Sequence, residues 1–232
     1  NVSGGEPTTR NDLVDICRVM LDKLPRLRKF GLNTTGLTPH RGIPMLTKIV
    51  ELCEERGVIF STRVSIDGVG DMHNTVRNVK RGFEKANQTI RAMQELQKKH
   101  SFNFGISTTL FHQNLDDAEN ILAWAKTEKL DIVFNMVRFT DAMLGNSDLS
   151  TTCAPVGEEE ERMRQFFLDR VRMDSLFDGQ NYVYMHYADM IANGYHRMAP
   201  CPFQTQGIML NPDGGMFFCE NSKVIGNVRE TD

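Results

Sequence analysis

Apolar residues recur with two periods along this chain, and the switches between the periods mark its elements. Leu13, Ile16, Cys17, Met20, Leu21 and Leu24 fall at i, i+3, i+4, i+7, i+8 and i+11, which predicts an amphipathic helix over 11–24 with Asn11 as its cap. Lys29 to Leu32 reads as a short strand leading into Asn33-Thr34-Thr35-Gly36, and Leu46, Ile49, Val50 and Cys53 mark a second helix closed by Gly57. Cys17 and Cys53 are then packing residues. The run from Val58 to Ile66 is β-rich and stops at the turn signal Asp67-Gly68. A third helix is expected from about Arg81 to Lys99, with Phe83, Ile90, Met93 and Leu96 inward. Phe102 to Leu110 follows as a strand, Leu115 to Glu128 as a helix burying Ala118, Ile121, Leu122 and Ala125, and Asp131 to Val137 as another strand.

Single helices between strands require parallel pairing, so the predicted fold is α/β, either barrel-like or doubly wound. Both architectures bind ligands at the C-terminal ends of the strands. Glu6, Thr35, Ser65 and Asp67 are thereby expected on one rim. After Arg138 the pattern breaks into a long loop containing Cys153, and the acidic run Glu158 to Glu161 reads as a helix N-terminus. Helix is expected over 158–177 and 182–192. From Cys201 the chain reads as a hairpin: Gly207 to Leu210, a turn at Asn211-Pro212-Asp213-Gly214, then Gly215 to Cys219.

Composition narrows the class. Of 232 residues, 40% are hydrophobic and 25% charged, enough for a full core, and no low-complexity tract suggests disorder. A net charge of -3 gives no general attraction to nucleic acid or to an anionic membrane, so neither is an expected partner. No apolar run approaches a membrane span and no signal peptide is visible, which makes the cytoplasm the expected compartment. The five cysteines are an odd number without a secretion signal, which favours thiols or metal ligands over a disulfide framework. The chain opens on Asn1 inside a strand and stops at Thr231-Asp232, which resembles a helix cap; a fragment of a longer protein is expected.

The densest chemical signal is Gly4-Gly5-Glu6-Pro7. Two glycines let a ligand touch the backbone, Glu6 offers a carboxylate to a cationic amine, and Pro7 stops the strand. His186, His196 and Cys201 match no standard zinc spacing and receive no role. The methionines, thirteen in all, are spread along the chain as packing residues.

Gly4-Gly5-Glu6-Pro7, Thr34-Thr35-Gly36, Ser65-Ile66-Asp67-Gly68 followed by His73-x-x-x-Arg77, and Cys201-x12-Gly214-x4-Cys219 occur in an order that resembles the radical S-adenosylmethionine superfamily with a SPASM or twitch-type C-terminal domain. The resemblance implies a partial (β/α) TIM-like barrel over 1–157, a helical connector over 158–199 and the start of a SPASM/twitch hairpin domain over 200–232. It implies that Gly4, Gly5 and Glu6 hold the amino group of S-adenosylmethionine and that Pro7 shapes their turn. Ser65 and Asp67 would bind the ribose hydroxyls, and Arg77 the carboxylate, as a planar fork suits an anion. Cys201 and Cys219 would be ligands of an auxiliary iron-sulfur cluster, with Ile225-Gly226-Asn227-Val228 similar to the stretch that follows them.

One departure stands out. The family holds a four-iron four-sulfur cluster through a C-x3-C-x2-C loop before the Gly-Gly-Glu strand, and no such spacing occurs among the five cysteines. Those ligands are expected upstream, and the chain alone should be inactive. The implied activity is reductive cleavage of S-adenosylmethionine followed by hydrogen abstraction from a substrate near Thr109 and Asn135, with a flavodoxin or ferredoxin as electron donor. A peptide or protein is the first substrate expectation and a small molecule the second. A barrel that binds a partner without catalysis is the main rival. A cluster-free isomerase or hydrolase ranks last, since no histidine stands at a strand end.

Overall fold

Alternation along four strands separates this protein's buried core face from a more exposed, polar face. The computed structural model describes residues 1–2, 4–140, 145–171, 179–197, 207–219 and 222–230. Two compact units divide the chain, Asn1–Asn135 and Met136–Asp232.

In the first unit the elements run α1 (Leu13–Lys23), β1 (Lys29–Thr34), α2 (Pro39–Glu55), β2 (Ile59–Ser65), α3 (Asp71–Arg77), α4 (Gly82–Gln97), β3 (Asn103–Leu110), α5 (Ala118–Thr127) and β4 (Asp131–Met136). The strands lie in chain order β1-β2-β3-β4 in a parallel sheet, with Phe30 opposite Phe60, Asn33 opposite Arg63, and Ser65 opposite Ser107. This is the expected α/β fold, and it is compatible with a partial (β/α) barrel. Val2 adds a parallel bridge to Leu32, its amide donating to the Gly31 carbonyl at 2.8 Å.

Even-numbered strand residues build the core. Phe30, Leu32, Phe60, Val64, Phe104, Ile106, Leu110, Phe134 and Met136 are buried, together with Leu46, Ile49, Val50 and Cys53 of α2 and Ala86, Ile90 and Met93 of α4. Phe30 stacks on Phe60 at 6.3 Å between centroids, and Phe60 meets Phe102 at 6.1 Å. Burying one such side chain is worth about 1.5–3 kcal/mol, so this layer dominates the unit's stability. Odd-numbered residues behave differently: Asn33, Asn103, Thr109 and Asp131 are exposed and Ser61, Arg63, Ser65 and Asn135 half-buried. A parallel sheet covered on both faces would read as continuous apolar runs, and this one does not.

Several boundaries differ from expectation. The residue preceding α1 is Asp12, which makes no side-chain cap and instead pairs with Arg10. Leu24 lies past the helix end and is exposed. Helix α3 was not expected, because two turns of mostly polar residues carry no apolar period. The expected helix from Leu115 begins instead as a 3-10 turn over His112–Asp117 before α5.

In the second unit, a short helix α6 (Ser150–Cys153) occupies the expected long loop. The acidic run forms the first turn of α7 (Glu158–Leu168), as read from the sequence. Helix α8 (Gly179–Ala192) packs on α7 through Phe167, whose ring lies 5.6 Å from that of Tyr184 and 5.1 Å from that of Tyr187. The expected hairpin is β5 (Met209–Leu210) and β6 (Gly215–Phe217), and β7 (Gly226–Asn227) adds a third antiparallel strand. No helix among the described residues is long and apolar enough to cross a membrane.

Candidate functional site

Two carboxylates stand at neighbouring corners of the strand-end rim, each built in differently. The first corner follows Val2. Gly4 and Gly5 have φ of +90° and +44°, conformations that favour glycine, and a Cβ at either would meet nothing within 4 Å. Their peptide groups are open to solvent and to a ligand.

Glu6 then turns inward. Its Oε1 accepts from the Thr8 amide (3.1 Å), the Thr8 hydroxyl (2.7 Å) and the Thr34 hydroxyl (2.8 Å), and its Oε2 from the Thr35 amide and hydroxyl (2.5 Å each). A carboxylate has about four lone-pair sites, so these donors fill it. Burial pushes the carboxyl up, but the Thr35, Thr8 and Thr34 hydrogen bonds outweigh it and hold it below its ordinary value. Pro7 begins a 3-10 turn over Pro7–Thr9. Arg41 of α2 grips that turn through the carbonyls of Thr8 (2.6 Å) and Thr9 (2.5 Å) and the side chain of Asn11 (2.6 Å).

The second corner follows β2. Ser65 ends the strand half-buried, and Asp67 beyond it is buried at 5% exposure. Asp67 accepts the Thr109 amide at 3.1 Å through Oδ1 and meets Arg77 Nη2 at 2.5 Å through Oδ2. Burial pushes this carboxyl up, only partly opposed by Arg77 and the Thr109 amide. His73, fully buried on α3, accepts the Asp67 amide at Nδ1 (3.1 Å), which assigns its proton to Nε2. Burial, with Arg77 adding to it, lowers its pKa to about 4. Asn114 ties the corner to β3 by donating to the carbonyls of Asp67 (3.1 Å) and Thr109 (3.0 Å). His73 Nε2 and Arg77 Nε are buried without a hydrogen-bond partner among the described residues.

Asp67 and Arg77, read from sequence as separate ligand groups, are thus each other's ion-pair partners. Thr8, Thr34, Arg41 and Asn114 were not singled out for these contacts; only the Thr34-Thr35 doublet carried a signal, two hydroxyl donors at a strand end. Thr109 and Asn135, expected near the substrate, lie on the sheet's open side. In the second unit Cys219 is half-buried in a turn where Ser222 accepts the amides of Phe218 (3.0 Å) and Cys219 (3.2 Å). Cys201 lies outside the described residues. His186 Nε2 accepts from Arg197 at 3.1 Å.

The chain is 32% identical over 169 residues to the AdoMet-dependent heme synthase of Methanosarcina barkeri, a match that covers 72% of this chain and 43% of that protein. It is also 28% identical over 134 residues to the molybdenum cofactor biosynthesis protein moc-5 of Caenorhabditis elegans, a match over 57% of this chain and 20% of that protein. The chain therefore matches less than half the length of either relative. No family model matches it.

The rim suits S-adenosylmethionine in one respect that geometry decides: the Gly4-Gly5 bend offers unobstructed backbone. Among the described residues no three His, Cys, Asp or Glu side chains gather to hold a metal.

Proposed function

We propose that this chain is the S-adenosylmethionine-binding part of a radical S-adenosylmethionine enzyme. The observation that carries the reading is the open, positive-φ Gly4-Gly5 bend fixed at the sheet edge, in a chain similar to an AdoMet-dependent heme synthase. Gly4 and Gly5 would receive the cofactor's ammonium through their backbone, with Glu6 holding the bend rigid from behind and Pro7 turning the chain away. Ser65 would meet the ribose. Asp67 and Arg77 would reach the ribose and the carboxylate only from within their ion pair, so both act first as the frame of that wall. When bound, S-adenosylmethionine supplies hydrogen-atom abstraction; the protein's share is orientation and exclusion of water.

The relatives are named for heme synthesis and for molybdenum cofactor biosynthesis, which supports a small-molecule precursor over a peptide as substrate. The small antiparallel sheet with Cys219 beside it supports a SPASM-type reading of the second unit, with Cys201 and Cys219 toward an auxiliary cluster. A one-electron donor of flavodoxin or ferredoxin type and a cytoplasmic setting belong to the same reading.

Isothermal titration with S-adenosylmethionine tests it. The unaltered chain binds saturably, and Gly5→Val weakens binding roughly tenfold or more, because a β-branched residue resists positive φ and covers the backbone. An unaltered chain that takes up no S-adenosylmethionine would sink the reading.

A further inference from the structure

The open face of the sheet carries a guanidinium that the cofactor reading leaves unused. Arg63 projects from β2 on the side opposite the core, between Asn33 of β1 and Gly105 of β3. The missing side chain at position 105 admits it, since a Cβ there would stand 2.7 Å from Arg63 Nη1 and 2.5 Å from the Asp131 carbonyl oxygen. Nη1 donates to the Ile106 carbonyl at 3.0 Å and Nη2 to Asp131 at 2.5 Å. A guanidinium has five N–H donors, and the others of Arg63 have no acceptor among the described residues. None of its nitrogens is buried and unsatisfied, and the side chain is 26% exposed.

The counter-ion is poorly held: the Asp131 side chain is 65% exposed, and such ion pairs contribute little. The surrounding face is polar, with Asn33, Ser65, Ser107, Thr109 and Asn135 near the same end. Lys29, at the first residue of β1, has the same strand parity as Arg63. Arg63 lies two residues before the strand end, so its Cα is about 7 Å inside the rim where Gly4, Gly5 and Ser65 sit. A small molecule lying on this face would present one end to the rim and the other to the guanidinium.

We propose that the open face binds the substrate and that Arg63 anchors its anionic end, a carboxylate or a phosphate, by a bidentate pair in place of Asp131. For the substrate's chemistry this rests on the radical S-adenosylmethionine reading. The bidentate geometry is what a guanidinium provides and an ammonium does not.

Titration of the chain with inorganic pyrophosphate and, separately, with glutarate tests the anchor and distinguishes phosphate from carboxylate. The unaltered chain binds at least one probe saturably, and Arg63→Gln weakens that binding roughly tenfold or more. Arg63→Lys keeps the charge and recovers only part of it, and guards against a loss caused by misfolding. Asp131→Asn, by removing the competing carboxylate, tightens binding about threefold. A purely structural pair predicts the opposite: equal anion binding in Arg63→Gln, or weaker binding in Asp131→Asn, and either result overturns the proposal, as does failure of both probes to bind. S-adenosylmethionine binding, measured on the same variants, stays unchanged; its absence in the unaltered chain would remove the cofactor reading without touching the Arg63 result.

Discussion

The two rim corners use the same chemical group to opposite electrostatic ends. Among the described residues no cation neutralises Glu6; amides and hydroxyls surround it, and they lower its pKa despite burial. Asp67 has an arginine at 2.5 Å, yet its pKa is raised, because it lies far deeper and burial exceeds what one ion pair and one amide return. Counting charges would have ranked the corners the other way. What decides is how many donors face the carboxylate against how much water it has lost.

The largest effect that would break this comparison comes from the ion pair. Arg77→Met leaves Asp67 buried without its cation and is expected to cost about 3–5 kcal/mol in urea unfolding, whereas pairing it with Asp67→Asn restores more than half. A loss under about 1 kcal/mol for the single variant would show that Asp67 is already protonated, or that water reaches it.

His73 gives the next largest. Its pKa falls from 6.5 unfolded to about 4 folded, so the folded state binds fewer protons across that window. The stability it contributes is complete above about pH 6.5 and is lost as the pH falls to about 4, by roughly 3 kcal/mol at 1.36 kcal/mol per unit. His73→Gln, which retains an acceptor for the Asp67 amide, should flatten urea-unfolding stability across this range. An unchanged slope would place the histidine's proton elsewhere.

The smallest sharpens the sign. Because Glu6 is held below its ordinary 4.5, its contribution is present above that pH and is lost as the pH falls through the folded value. Asp67, with a raised pKa, contributes in the reverse sense: it favours folding while protonated, and that is lost as the pH rises through its folded value. Glu6→Gln is expected to cost about 2 kcal/mol near neutrality, with the gap to the unaltered protein closing in acid. A gap independent of pH would mean that the amide oxygen serves the threonines as well as the carboxylate did.

The sequence made the sheet and its covering helices legible because they follow period: β2 alternates over seven residues, and α2 places Leu46, Ile49, Val50 and Cys53 on one side. Helix α3 was hidden because its placement depends on tertiary contacts of His73 and Arg77, which no local pattern encodes. The rim residues were legible as a set but not as a circuit. Nothing in the spacing of Asp67 and Arg77 says that they face each other, and nothing around Asn114 announces that it joins two carbonyls 42 positions apart in sequence from one another.

In β2 the core and the open face are interleaved, Phe60, Thr62 and Val64 alternating with Ser61, Arg63 and Ser65. Inserting or deleting one residue within this strand would carry every later side chain through the sheet. Arg63 would enter the oil and Val64 the water in the same step. A change of length within β2 therefore disturbs both faces at once, whereas a substitution on the open face leaves the core residues where they are.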